Sequence, residues 1–153
     1  MSDPARLDGK LAIVTGGGSG IGKATAKVFS EAGATVVVTG RRPEPLELVA
    51  KEIGGHAMAC DVSDQAQVQT MFAQALQING QVDILLNNAG LPGPIAPVAE
   101  VDMDAWIQCM NINLLGAMYC LKEAAQIMGA QKSGSIINMS SLMGVQGYPM
   151  RSA

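Results

Sequence analysis

The chain has 153 residues, a formal net charge of −3 and 48% hydrophobic residues, enough for one domain over 1–153 with a substantial core. Only 15% of residues are charged, which argues against the electrostatic footprint of a nucleic-acid binder. No apolar run reaches the roughly 20 residues of a membrane span, and the opening MSDPARLDGK lacks a signal-peptide apolar region, so a cytoplasmic protein without a nucleic-acid or membrane partner is expected.

In chain order, a polar arm over 1–10 delivers the apolar, β-branched run Leu11–Thr15, a buried strand. Glycines at 16, 17, 18, 20 and 22 follow. The stretch 23–31 then shows helical spacing, with Ile21, Ala24, Val28 and Phe29 on one side and Gly33 as its stop. A strand that runs through glycines into a helix leaves backbone N–H groups free where the helix dipole is positive. That is an anion site, and in this context the usual anion is the pyrophosphate of a dinucleotide. The alternative is a glycine-rich turn without a ligand.

A second strand, TVVVT over 35–39, is nearly all β-branched, which suits a parallel strand buried on both faces. A helix over 44–53, a short strand over 56–60 and a helix over 65–78 follow, with Ser63 expected as the N-cap. Next come a strand over 82–86, a Pro-rich loop over 91–97, one long helix over 104–129 and a fifth strand over 134–139. Alternation at this pitch means an α/β fold: a Rossmann-type, doubly wound parallel sheet between two helical layers. In the long helix, Trp106, Met110, Ala117, Met118 and Leu121 form apolar stripes suited to core packing or a subunit interface. Cys60, Cys109 and Cys120 have no metal or CxxC spacing and read as buried free thiols. His56 reads as structural, and no metal site is expected.

Thr15, Gly16, Gly20, Ile21 and Gly22 make the pattern T-G-x-x-x-G-x-G, and 87–90 reads NNAG after an apolar strand. Together they resemble the short-chain dehydrogenase/reductase family. The resemblance implies the sheet order 3-2-1-4-5. It assigns Gly16, Ser19, Gly20, Ile21 and Gly22 to the pyrophosphate and Asp61 and Val62 to the adenine. Asn88, Ala89 and Gly90 are also cofactor-binding candidates: small residues there let the backbone approach a ribose, and Asn amides can hold the neighbouring strands by hydrogen bonds. Ser19 stands where the family often has a basic residue. In dinucleotide folds an acid at the end of the second strand selects NAD, whereas a base accommodates the 2′-phosphate of NADP. Here that place holds Gly40 followed by Arg41 and Arg42, so NADP is preferred, with NAD as the alternative.

The resemblance also maps the family's helix asparagine, which distorts the helix and binds a relay water, to Asn113, with Asn111 as the other candidate. It maps the catalytic serine to Ser141, within N-M-S-S-L-M-G over 138–144. A serine nucleophile is the rival reading, but the chain offers no G-x-S-x-G elbow and no plausible histidine base. The family's Tyr and Lys, in Y-x-x-x-K, would begin directly after Ala153. Tyr148 is too close to Ser141, and four residues on stands Ser152, so no Tyr–Lys pair is present. The chain thus resembles the cofactor-binding front of a domain that is incomplete on its C-terminal side. Its parent would exchange a hydride between a nicotinamide and a small carbonyl compound or secondary alcohol, as a homodimer or homotetramer. The alternative is a dinucleotide-binding module without chemistry. A chain ending at Ala153 is expected to be inactive and to bind dinucleotide weakly. It should self-associate through the open edge of strand five unless another copy or the rest of the protein covers that edge.

Overall fold

The computed structural model describes residues 6–153; the start of the polar arm lies outside the described residues. The strands are β1 (Leu11–Thr15), β2 (Thr35–Gly40), β3 (His56–Ala59), β4 (Ile84–Asn87) and β5 (Ser135–Asn138). They form one parallel sheet in the order β3-β2-β1-β4-β5, as expected. The helices are α1 (Gly20–Glu31), α2 (Pro43–Ile53), α3 (Gln65–Asn79), α4 (Met103–Met110) and α5 (Ala117–Gln131).

Successive strand residues point to opposite faces, and the two faces carry two cores. Leu11, Ile13, Val37 and Leu85 pack with Phe72 and Met71 of α3 and Cys120 and Ala124 of α5. Ala12, Val14, Val36 and Val38 pack with Ala26 of α1 and Leu46 and Val49 of α2. The central strands are therefore apolar throughout, the signature of a sheet covered on both sides. β5 bonds only to β4 among the described residues, and Ile137 is 41% exposed.

Several local expectations are corrected. Asp64, not Ser63, caps α3: its carboxylate accepts from Ala66 N at 2.9 Å and Gln67 N at 3.2 Å. On α1 the residues pressed to the sheet are Gly22 and Ala26, while Ile21 and Val28 are more than half exposed. The helix lies so close to the sheet that small residues must face it. The fourth strand begins at Ile84, because the backbone of Val82 is bound instead by the side-chain amide of Gln131, at 3.0 and 2.9 Å.

The long helix is two helices joined by a π turn, Asn111–Gly116. Its buried stripe is Cys109, Ile112, Gly116, Cys120, Ala124 and Met128, and the apolar stripe read from the sequence flanks it or faces outward. Residues spaced by four drift about 40° per step around a regular α-helix. The wider π turn absorbs part of that drift and keeps the stripe on the sheet. Gly116 must be glycine here: a Cβ would stand 2.7 Å from the Val62 side chain and 3.1 Å from its backbone carbonyl carbon.

Candidate functional site

The C-terminal ends of parallel strands share one edge of the sheet, which is where ligands bind in open α/β folds. Here that edge holds a cleft of about 370 Å³. Gly16, Ser19, Arg41, Arg42, Asp61, Val62, Ala89 and Gly90, all candidates from the sequence, line it. Gly20, Ile21, Gly22, Asn88, Asn113 and Ser141 are not among its lining residues.

The glycine turn is held from behind. Thr15 Oγ accepts from Asn88 N and Ala89 N, both at 2.9 Å, and donates to Leu86 O at 3.3 Å. One donor and two acceptor positions exhaust a hydroxyl. The Asn88 amide donates to Thr15 O at 2.9 Å and reaches Gly16 O at 3.4 Å. Asn88 thus ties β4 to β1 and the glycine turn. Asn87 does the same one strand over, donating to Asn138 Oδ1 at 2.9 Å and to Ala117 O at 3.1 Å. Gly16 has φ +66, and a Cβ on Gly22 would lie 2.4 Å from Gly16 O and 2.6 Å from Asn88 Nδ2. Helix and turn therefore meet backbone to backbone.

Ser19 occupies the N-cap of α1 without making a side-chain cap bond, and the first turn carries no acid. Free N–H groups and the positive end of the dipole are left for an anion. Among the described residues the side chains of Arg41 and Arg42, both exposed, make no ion pair or hydrogen bond. The donor set and the glycine cradle fit the pyrophosphate of a dinucleotide.

On the far wall, Asp61 Oδ1 accepts from Ser63 N at 3.0 Å and Ser63 Oγ at 2.7 Å. Cys60 also lines the cleft; burial, then the Asp61 carboxylate, pushes its thiol up to about 11, with the Thr39 hydroxyl opposing. At neutral pH the protonated thiol is favoured. Cys60, Cys109 and Cys120 are all free and buried, as expected. No group of three or more potential metal ligands occurs among the described residues.

Asn113 lies within the π turn, so the helix is distorted at the place the resemblance implied. Its amide binds Leu91, a cleft residue, rather than facing the cleft itself. Ser141 follows β5 and is exposed; its Oγ accepts from Met143 N at 3.3 Å. Tyr148 is 55% exposed. The last residues fold back on the Pro-rich loop and on α4: Ala96 N donates to Met150 O at 3.1 Å, Arg151 Nη1 to Gly93 O at 3.2 Å, and Trp106 Nε1 of α4 to Ser152 O at 2.9 Å. Sequence reasoning did not single out Leu46 and Ile112 as cleft residues, or the Thr15 hydroxyl and Ser63 as its supports. The T-G of the glycine pattern and the D-V-S triplet were the available signals.

A five-stranded sheet of this order, with an uncapped glycine turn at its C-terminal edge, defines a Rossmann-type α/β domain. The family model described as short chain dehydrogenase matches residues 10–153, and the chain belongs to that family. The 3beta-hydroxysteroid dehydrogenase of Mediterraneibacter gnavus is 38% identical over 153 residues, covering 97% of this chain and 55% of that relative. A crystal structure of NAD+-bound xylitol dehydrogenase is 34% identical with a TM-score of 0.89, covering 95% of this chain and 58% of that one. An actinorhodin polyketide ketoreductase structure with NADPH is 31% identical with a TM-score of 0.89, covering 94% and 57%. The chain thus spans a little over half the length of these relatives. No helix among the described residues is long and apolar enough to cross a membrane.

Proposed function

We propose that this chain is the dinucleotide-binding portion, one domain over 1–153, of a cytoplasmic NAD(P)-dependent oxidoreductase that interconverts a small carbonyl compound and a secondary alcohol. The observation that carries the reading is the uncapped, anion-ready start of α1, which opens on a cleft with Arg41 and Arg42 in its lining. When bound, the nicotinamide supplies or accepts the hydride.

The chain's own residues bind and orient. The backbone from Gly16 through Ser19, Gly20, Ile21 and Gly22 holds the pyrophosphate. Arg41 and Arg42 pair with a 2′-phosphate, which makes NADP the preferred cofactor and NAD the alternative. The Asp61 carboxylate accepts from the exocyclic amine of adenine, with Val62 beside the ring. Asn88 supports the turn from which Ala89 and Gly90 approach the ribose. Ser141 donates its hydroxyl proton as a hydrogen bond to the reacting oxygen. Asn113 is a positioning residue for the proton relay. The exposed Met103, Ile107, Leu114 and Met118 of the α4–α5 unit support a homodimer or homotetramer.

The test uses the full-length protein carrying this chain, with NADPH, NADH and a panel of small ketones. Ketone-dependent cofactor oxidation is expected. Ser141→Ala should cut kcat strongly and spare cofactor affinity, and Ser140→Ala should do far less. Tight dinucleotide binding without turnover on any ketone or alcohol would favour the module without chemistry. No dinucleotide binding at all would overturn the proposal.

A further inference from the structure

We infer that Ser63 is a positioning residue that holds one oxygen of the Asp61 carboxylate so that the other is presented to the base of the dinucleotide. The inference rests on the reading of Asp61 and Val62 as the adenine subsite, and goes beyond it by naming what makes that subsite selective.

Asp61 leaves the end of β3 as part of the cleft wall. A carboxylate on a short side chain can turn about its last torsion, and a turned carboxylate presents its acceptors less well. Here rotation is opposed at one end only. Oδ1 takes two hydrogen bonds from Ser63, from the hydroxyl at 2.7 Å and the backbone N–H at 3.0 Å. The hydroxyl bond to an ionised oxygen is the stronger kind.

The backbone is held as well. Asp61 N donates to Gln67 Oε1 at 3.0 Å, and Gln67 Nε2 donates to Asp64 Oδ2 at 2.9 Å. Asp64 is the cap of α3, so the whole turn is anchored to that helix. Asp61 Oδ2 has no hydrogen-bond partner among the described residues, and the Val62 N–H donates to none. Both residues line the cleft.

An acceptor followed by a backbone donor matches the edge of adenine, where an exocyclic N–H stands beside an unprotonated ring nitrogen. Hypoxanthine reverses the pair, with a carbonyl oxygen beside a ring N–H. It would set that carbonyl against the carboxylate. The Ser63 hydroxyl thus converts a generic acid into a directional one.

The experiment titrates the full-length protein with NADPH and with its hypoxanthine analogue, following the fluorescence of the reduced nicotinamide. Thermal unfolding confirms that each variant is folded. Ser63→Ala should weaken NADPH roughly five- to tenfold, less than the loss of a direct charge-assisted hydrogen bond because the Ser63 N–H still holds Oδ1, and leave the hypoxanthine analogue within about twofold. Ser63→Thr, which keeps a hydroxyl, should retain the preference. Ser63→Cys, with a longer and weaker donor, serves if the alanine variant does not fold, and should lose most of the preference.

Equal weakening of both dinucleotides, or no weakening of either, would overturn the inference. Asp61→Ala separates its failure from that of the underlying reading. If the preference for adenine survives Asp61→Ala, the adenine subsite itself is misassigned. If it is lost in Asp61→Ala but kept in Ser63→Ala, only the role of Ser63 falls.

Discussion

Asn113 binds both backbone groups of Leu91: its Oδ1 accepts the Leu91 N–H at 2.9 Å, and its Nδ2 donates to the Leu91 carbonyl at 2.9 Å. A side-chain amide is the one group that can satisfy a whole peptide-like pair in this way. The result couples the π turn to the start of the Pro-rich loop, and through Leu91 to the cleft. The same Nδ2 lies 3.3 Å from Cys109 Sγ, one turn earlier on the helix.

Replacing Asn113 with alanine removes both bonds to Leu91. The expected cost is about 1–3 kcal/mol of stability, from two hydrogen bonds of ordinary net worth. Amide exchange should rise at Leu91 and the following loop while β1 and β2 stay protected. Asn113→Asp, which keeps the acceptor and loses the donor, should fall between. Unchanged exchange at Leu91 in Asn113→Ala would show that the loop is held by its contacts with the final residues instead.

Gly22→Ala should be damaging out of proportion to its size. The added Cβ would stand 2.4 Å from Gly16 O, a backbone atom that cannot step aside without opening the turn. Overpacking of this kind costs about 1–3 kcal/mol, and dinucleotide binding should be lost with it. Gly129→Ala is the counterpart: nothing lies within 4 Å of that Cβ, in the last turns of α5. It should stabilise by about 0.5–1 kcal/mol, the propensity difference between the two residues in a helix. Thermal unfolding of the two variants side by side checks both signs.

If Arg41 and Arg42 pair with a 2′-phosphate, the full-length protein should bind NADPH more tightly than NADH. Arg41→Asp should reverse the order. A charge-assisted pair is worth about 1.5–3 kcal/mol, roughly ten- to a hundredfold in affinity. Equal affinity of the unmutated protein for both cofactors would remove the assignment.

Burial raises the Cys60 thiol to about 11 and the Cys120 thiol to about 12, against an ordinary value of 9.0. The folded state therefore favours the protonated thiol. Its stabilising contribution is fully present below pH 9 and is lost as pH rises through the folded values. Denaturant midpoints should fall steadily from about pH 9 upward, and less so in Cys120→Ser after correction for the loss of buried apolar volume. At pH 8 a thiol reagent should label all three cysteines only on unfolding. Rapid labelling of Cys60 in the folded protein would contradict its burial.

The order of strands and helices was legible because its signals are local. Leu11–Thr15 and 35–39 are apolar on both alternating faces, so a two-sided sheet follows from the strands themselves. The glycine turn and NNAG mark where backbones must approach closely, a demand that residue type alone expresses. The same locality explains why eight of the proposed cofactor-binding positions lie on the cleft.

What the chain does at longer range was not legible. The helical spacing of Ile21, Ala24, Val28 and Phe29 defines an apolar side of α1, but the depth at which the helix sits on the sheet turned Gly22 and Ala26 inward. Ser63 and Asp64 are both good caps; the position of β3 relative to α3 gave the cap to Asp64 and left Ser63 to Asp61. That the Asn88 amide ties neighbouring strands was expected, but that its partner is Thr15, 73 residues away in sequence, was not. By itself the sequence determined the elements, their parallel arrangement and the glycine-lined edge, because period, propensity and backbone freedom are properties of short stretches. Only the tertiary structure decided which donors and acceptors meet, because a hydrogen-bond partner is set by whichever distant group the packed sheet brings within about 3 Å.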